Sequence, residues 1–354
     1  MKKEIRKMNH LEAINAKSIE FLGRTRNNVL MCEGINDGFY GTIEGIPDIF
    51  TSQCYELPCS ENASVGLALS ASAYEVTTIV CFQRVEFALL AIEQFANNAA
   101  KNNFLASGKR PNPCLFRLVI GRGWGQGPSH SQSFETMFAQ IPEIKVFMPV
   151  FPNDSNFILE NFEHYTSPTI SIEHRWTHFS ENTISSHARN QGAYVVKEGC
   201  DITIVAYSYN VLLSMKARAI VLDYGISAEV INIFCISDID METIKGSIKK
   251  TKNLLVLDLD NRKFSVATQI LSNLMLEDIC LEKAPVMLSN KGVYSPSSPK
   301  LAKEYYLSCS DLIRAIGMHL ELEQENYAAL NRKAEQMEQE SFSDIPNKQF
   351  IGPF

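Results

Sequence analysis

The sequence predicts an α/β protein built of two consecutive doubly wound domains. Three observations carry that expectation. Strand-like apolar runs alternate with helical periods up to about residue 176, which is the pattern of a parallel sheet covered by helices. The same alternation restarts at Asp201 after a polar stretch without period, residues 181–200, read as a linker. The chain has 354 residues, about two domains at roughly 150 residues each. The expected division is therefore 1–180 for the first domain, 201–320 for the second, and 321–354 for a charged tail.

Taken in order, a helix is expected from about His10 to Arg24, where Leu11, Ile14, Ile19 and Leu22 recur at helical spacing. Asn28 to Cys32 reads as a short buried strand ending in Glu33. Gly34, Gly38, Gly41, Gly45 and Pro47 then mark turns. Ser60 stands as N-cap to a helix starting at Glu61 or Asn62, whose small residues (ASVGLALSASA) suit the close approach of another backbone. Thr77 to Phe82 is strand-like. Glu86 to Lys101 reads as one strong helix with Phe87, Leu90, Ala91, Gln94 and Phe95 on one side. Cys114 to Ile120 is a strand running into the loop GRGWGQGPSH. A helix near Ser133–Ala139, a strand Lys145–Met148, a helix Asp154–Tyr165 and a strand Thr169–Ile172 complete the first unit. In the second, ITIVAY, AEVINIF and NLLVLDL read as strands. Helices are expected to Asp223, through Ile244 and near Val266–Met275. The stretch Glu321 to Glu340 reads as an exposed or partner-facing helix with no core of its own.

Asp and Glu number 40 against 33 Lys and Arg, a net charge of −7, which argues against a dedicated nucleic-acid binder. No apolar run approaches the roughly 18 residues of a membrane span. The basic start MKKEIRKMNH is followed by a polar amphipathic segment, so no secretory signal is expected. The nine cysteines are scattered singly with no C-x-x-C pair. They read as reduced thiols of a cytoplasmic protein, neither a disulfide framework nor a zinc site.

Four features bear on chemistry. Gly121, Gly123, Gly125 and Gly127 follow a strand, but G-x-G-x-x-G fails in both frames, at Gln126 or Pro128. Close backbone approach explains the glycines without a dinucleotide. His130 ends this loop, beyond the carboxyl end of a strand, where open α/β sheets place ligands; a surface role is the plain alternative. Glu61 at a helix start is a cap or a functional acid, and local evidence favours the cap. Glu173 to Trp176 (EHRW) closes a buried strand and reads as a structural ion pair. No HExxH, EF-hand or Cys cluster appears, so no metal site is expected.

Several phrases in order carry a resemblance: PCSENASVGLALSASA, RVEFALLAIEQFANNAAK, GRGWGQGPSHSQSFETMFAQIPEIKVFMP, SPTISIEHRW and DITIVAYS. Over roughly residues 10–315 the chain resembles the beta subunit of the first component of 2-oxoacid dehydrogenases, of the pyruvate or branched-chain type. More broadly, it is similar to the C-terminal half of transketolase-like thiamine diphosphate enzymes. The resemblance implies a pyrimidine-binding domain followed by a transketolase C-terminal-type domain. It implies an enzyme that decarboxylates a 2-oxoacid oxidatively and passes the acyl unit to lipoamide. Glu61 matches the glutamate that hydrogen-bonds a ring nitrogen of the cofactor's aminopyrimidine. Phe87 matches the aromatic stacked on that ring, and Gln83 and Cys59 match positions lining it. His130 matches the active-site histidine, and Glu33 a glutamate near the cofactor.

In that family a separate domain, marked by G-D-G and a later asparagine pair, holds the diphosphate and magnesium. G-D-G does not occur here. The resemblance therefore implies that only the aminopyrimidine half of thiamine diphosphate is bound by this chain. Magnesium would sit on an alpha partner in an α2β2 assembly, with a lipoyl acyltransferase as a further partner. Departures are SENA for the family's SEAG, Asp258 and no glycine in VLDLDNRKFSVATQI, and SPSSPKLAKEYY without the usual acidic residue. They leave open the 2-oxoacid and the alternative of a two-subunit transketolase-like or acyloin-forming synthase in sugar or secondary metabolism. A dinucleotide oxidoreductase and a non-catalytic assembly partner are the competing classes.

Overall fold

The computed structural model describes residues 8–181, 192–260, 262–277, 279–340 and 345–346. The expected start MKKEIRKMNH falls mostly outside these residues, as do half of the expected linker and most of 341–354. Among the described residues the strands form two sheets, one in each half of the chain.

The first sheet contains β1 (Asn28–Cys32), β2 (Cys54–Glu56), β3 (Thr77–Phe82), β4 (Cys114–Ile120), β5 (Lys145–Phe147) and β6 (Thr169–His174), in the order β2-β1-β3-β4-β6-β5. All its pairings are parallel. Strands β1, β4 and β6 are buried along their whole length, which is why they read as unbroken apolar runs. The chain leaves β1 towards β2 on one side, and leaves β3 towards β4 on the other. The crevice where such connections diverge, beyond the carboxyl ends of β1 and β3, is where open parallel sheets bind ligands. Glu33 and Gln83 follow directly on those two strand ends.

The helix His10–Arg24 forms as expected and is started by a capping box, with Asn9 Oδ1 accepting from Glu12 N at 2.9 Å. His10 anchors it, its ring lying 2.6 Å from Ser155 Oγ and 3.2 Å from the Thr177 carbonyl. The helix expected over Glu86–Lys101 forms without a gap over residues 85–99, but its winding changes along its length. An α-turn Val85–Ala88 passes through a 3₁₀ turn Leu89–Ala91 to a π-helical turn Gln94–Ala99. The widened turn keeps Phe95 in the core, edge-on to Phe116 and Phe138.

The second sheet runs β11-β10-β8-β9-β7. Its strands are β7 (Ala193–Lys197), β8 (Ile202–Ala206), β9 (Ala228–Ile233), β10 (Leu254–Leu257) and β11 (Val286–Leu288). β7 lies inside the stretch read as a linker. It is an antiparallel edge strand on β9, with a register shift between Val195 and Lys197. Its five residues are too few to show a period beside the polar residues before it. β11 and the helices Pro299–Tyr305 and Cys309–His319 were not anticipated.

The tail corrects a second expectation. The helix Gln324–Glu340 packs against Cys309–His319 and buries Leu330 and Ala334 completely. Gly317 permits the contact, since a Cβ there would stand 2.9 Å from Leu330 Cδ2. Arg314 Nη1 holds Glu338 Oε1 at 2.5 Å. The tail thus belongs to the second core.

The two halves are joined by backbone as well as side chains. Met148 N donates to the Phe234 carbonyl at 2.7 Å, and Ile236 N to the Val146 carbonyl at 2.9 Å. Phe147 stacks on Phe234, with centroids 5.8 Å apart. A buried acid cluster spans the same junction. Tyr207 Oη lies 2.9 Å from Glu135 Oε1 and 2.6 Å from Asp258 Oδ1. One hydroxyl proton cannot serve two carboxylates, so a further proton resides on one carboxyl. Burial, and then the charge of Asp258, push the Glu135 carboxyl up to about 7.

That shift has a sign. The folded chain binds more protons than the unfolded chain between the unfolded value of about 4.3 and the folded value near 7. Stability is therefore fullest at the acid end of this window and declines as pH rises through it, by up to about 1.4 kcal/mol per pH unit. Glu135→Gln should remove this decline and raise the melting temperature at pH 8. Thermal melts of both proteins from pH 5 to 8 check it; parallel curves would contradict it.

Candidate functional site

Glu33 follows directly on β1 and is only 5 % exposed. Its Oε1 has no hydrogen-bond partner. Burial, and then the proximity of Glu61, push its carboxyl up to about 7. The turn beyond it is fixed by Glu56, whose carboxylate accepts from Gly34 N at 2.7 Å and Ile35 N at 2.8 Å. Gly34 is left-handed (φ 69°), and a Cβ there would meet Gln83 Nε2 at 2.8 Å. Gln83 Nε2 donates to the Glu33 carbonyl at 3.1 Å, so the ends of β1 and β3 are tied across the crevice.

Glu61 is the first residue of the helix Glu61–Ser72 and is 4 % exposed. Ser60 occupies the N-cap but makes no side-chain capping bond, contrary to expectation. No donor among the described residues reaches the Glu61 carboxylate, so the plain cap reading does not describe it. The small residues that follow let Ser64, Val65 and Ala68 bury against the sheet, which brings Glu61 to the crevice. Phe87 is half-buried on the turn Val85–Ala88. Its ring meets that of His130 edge-on, centroids 5.6 Å apart and nearly perpendicular. Cys59 is exposed, two residues ahead of Glu61. All nine cysteines are free thiols.

The structure thus ties Glu33 to Gln83, sets Glu33 beside Glu61, and sets Phe87 against His130. It leaves Cys59 at the surface. Two buried carboxyls, one titrating near neutrality, can exchange a proton with a ligand that offers ring nitrogens or amino groups. Among the described residues, no group of three His, Cys, Asp or Glu is placed to hold a metal ion. No helix among them is long and apolar enough to cross a membrane.

The glycine loop serves the second domain. Gly121, Gly123, Gly125 and Gly127 all have positive φ. A Cβ on Gly127 would collide with the Ser297 side chain, and one on Gly121 with Arg175. In EHRW the expected structural ion pair forms, and an interface contact accompanies it. Glu173 pairs with Arg117 through two 2.8 Å bonds in the sheet interior. His174 stacks on Tyr209 of the second domain, centroids 5.2 Å apart. Between the domains, a polar neck of about 50 Å³ is lined by Arg122, His174, Asn210 and Asn290, among others. It shares Ser131, Gln132 and Asp260 with a chamber of about 500 Å³ walled by Phe134, Phe264, Tyr294 and Tyr305. Glu33, Glu61 and Phe87 line neither space.

Sequence reasoning passed over Arg84 and Glu86. Arg84 is 1 % exposed and donates from Nη2 to the Gly121 carbonyl at 2.8 Å. Glu86 Oε1 accepts from Gln132 N at 2.8 Å. The available signal was a pair of charges inside the apolar run CFQRVEFALL, where a buried charge needs a partner.

Two family models match the chain: the transketolase pyrimidine binding domain over residues 6–177, and the transketolase C-terminal domain over residues 191–312. The chain is similar to the mitochondrial pyruvate dehydrogenase E1 component subunit beta of Saccharomyces cerevisiae. The two are 29 % identical over 324 residues, which cover 88 % of each. The counterpart from Dictyostelium discoideum is 30 % identical over 276 residues, covering 75 % of this chain and 77 % of that one. The acetoin:2,6-dichlorophenolindophenol oxidoreductase subunit beta of Cupriavidus necator is 28 % identical over 285 residues, covering 75 % and 83 %. Among solved structures, a split-gene transketolase described as an inactive beta4 tetramer matches with a TM-score of 0.72. At 17 % identity, over 90 % of this chain and 100 % of that one, the likeness is one of fold.

Proposed function

The chain belongs to the transketolase-like family that includes the pyruvate dehydrogenase E1 beta subunits, and on that premise we propose that it is the beta subunit of a thiamine diphosphate-dependent 2-oxoacid dehydrogenase, active with a separate alpha subunit. The observation that carries the reading is the buried pair Glu33 and Glu61 at the β1/β3 crevice. Glu33 Oε1 is buried without a donor, and the Glu61 carboxylate stands close enough to strengthen its hold on a proton. An aminopyrimidine ring offers a ring nitrogen and an amino group to such a pair, so the residues present fit the cofactor.

When bound, thiamine diphosphate would supply the nucleophilic carbon and the electron sink that decarboxylation of a 2-oxoacid needs. Glu61 holds and returns the proton at the ring nitrogen. Glu33, pushed up to about 7, can hold a proton beside it near neutral pH, which limits repulsion between the two carboxyls. Phe87 offers its face to the ring, and Gln83 and Cys59 border it. His130 binds the substrate carboxylate or moves a proton near the reacting carbon. The diphosphate and magnesium are assigned to the alpha subunit of an α2β2 assembly, and the acyl unit passes to a lipoyl acyltransferase. We place the first domain at about 1–180 and let the second run from β7 at Ala193 through the helix ending at Glu340, beyond the 201–320 first expected, because β7 pairs with β9 and that helix packs on Cys309–His319.

The Cupriavidus relative, at 28 % against 29 % for the yeast one, keeps a second reading in view: the beta half of a two-subunit acyloin or transketolase-like enzyme. Co-expression with an alpha-type chain carrying G-D-G and an asparagine pair tests both. Carbon dioxide release from 2-oxoacids, with NAD reduced only when lipoyl carrier and its dehydrogenase are added, supports the dehydrogenase. Carbon–carbon bond formation or cleavage without lipoyl carrier supports the second reading. No turnover of 2-oxoacids, acyloins or ketose phosphates rejects both.

A further inference from the structure

We propose that Arg84 and Glu86 are positioning residues that clamp both ends of the 121–132 loop and so hold His130 against Phe87. The inference rests on the proposed role of His130. Arg84 secures the start of the loop through the Gly121 carbonyl, and Glu86 secures its end through Gln132 N, each at 2.8 Å. Both lie on or beside the turn Val85–Ala88 that carries Phe87, so one short segment holds the ring and both loop ends.

The middle of the loop rests on neighbouring elements, with Arg122 over the Trp176 and Tyr306 rings and Trp124 beside Arg175, while its ends are set by the clamp. The loop contains four positive-φ glycines, whose unfolded freedom is greatest among the residues. His130 N is tied only locally, to the Gly127 carbonyl at 3.3 Å. The clamp is charged and buried. Arg84 Nε stands 3.6 Å from Glu86 Oε2, and neither atom has a hydrogen-bond partner, nor does Arg84 Nη1. The two charges attract across that gap but are each held back by the loop end they grip. A shift at one end is thereby felt at the other.

Two measurements test this on the full chain and on its complex with the alpha partner. The first is carbethoxylation of His130 by diethyl pyrocarbonate, followed by peptide mass, with exposed His164 as internal control. Glu86→Ala should speed modification of His130 severalfold without changing His164. Glu86→Gln, which still offers an oxygen to Gln132 N, should stay close to the parent. The second is turnover: Glu86→Ala should lower kcat by about 10- to 100-fold with the KM for thiamine diphosphate little changed, because misplacement by an ångström is costly. Arg84→Met should resemble Glu86→Ala, and if it fails to fold the two Glu86 variants decide. Unchanged His130 reactivity in folded Glu86→Ala overturns the clamp even if the enzyme turns over. If no reaction is ever detected but His130 reactivity rises as stated, the clamp stands and the proposed reaction falls.

Discussion

Glu61→Gln should lower 2-oxoacid decarboxylation by the reconstituted enzyme by about 10²- to 10⁴-fold, the usual worth of a positioned acid–base group. Glutamine keeps the size of the side chain and one carbonyl oxygen, but it cannot take up and return a proton. The fold should not suffer, because no donor in the described chain depends on this carboxylate. Removing its charge also removes one of the three influences that push Glu33 upward, leaving burial and the weaker effect of Glu56. The variant should therefore melt no lower than the parent, and its Glu33 should titrate nearer the ordinary carboxylate range. Steady-state rates, cofactor titration and melts from pH 5 to 8 examine the three statements separately. Full activity in a folded Glu61→Gln protein would end the proposed mechanism.

The largest effect on stability is expected at Arg117. Its guanidinium lies inside the first sheet, bonded twice to Glu173 and once to Thr42 Oγ1 at 2.8 Å, with the Phe39 ring beside it. Burial opposes ionisation of Glu173, yet the guanidinium overrides it and holds the carboxyl well below the usual range. Arg117→Met strands that carboxylate between β4 and β6 and should cost about 3–5 kcal/mol. For a chain of 354 residues, unfolding with about 2.1 cal/mol/K per residue, that is a fall of about 4–7 °C in melting temperature. Part of the loss should be regained by adding Glu173→Gln, since the stranded charge then disappears. The paired carboxylate of the parent contributes stability above its unfolded value near pH 4.3, which fades as pH drops below it. Calorimetry at pH 7 and pH 4 shows whether the gap between parent and Arg117→Met narrows in acid. Equal melting temperatures at pH 7 would mean that the pair is not what holds β4 to β6.

Much of this could be read from residue order. Fully buried strands such as Cys114–Ile120 betray themselves by composition, and the crevice follows from which strand feeds which. Glu61 and His130 stand out locally only as candidates, with a cap and a surface group as the plain readings, and the family resemblance is what gives them roles. Other features have no local signature. β7 owes its strand state to pairing with β9, and five residues beside a polar stretch show no period. The π-turn over Gln94–Ala99 answers to the packing of Phe95, which no helical periodicity encodes. The tail reads as a polar helix because Leu330 and Ala334 alone are buried in it; only the notch at Gly317 reveals their socket. Arg84 and Glu86 look like surface charges until the strand before them is seen to end in the interior.

The backbone bonds from Met148 and Ile236 carry one more implication. β5 is the last strand of the first sheet, and chain from the second domain, Phe234 to Ile236, covers its flank. A fragment cut between the domains would bare unpaired amides together with the faces of Phe147 and Phe157, which now rest on Phe234. Such an edge invites pairing with any extended peptide. The boundary between the two family matches is therefore a poor place to divide the chain for expression, because each half completes the surface of the other.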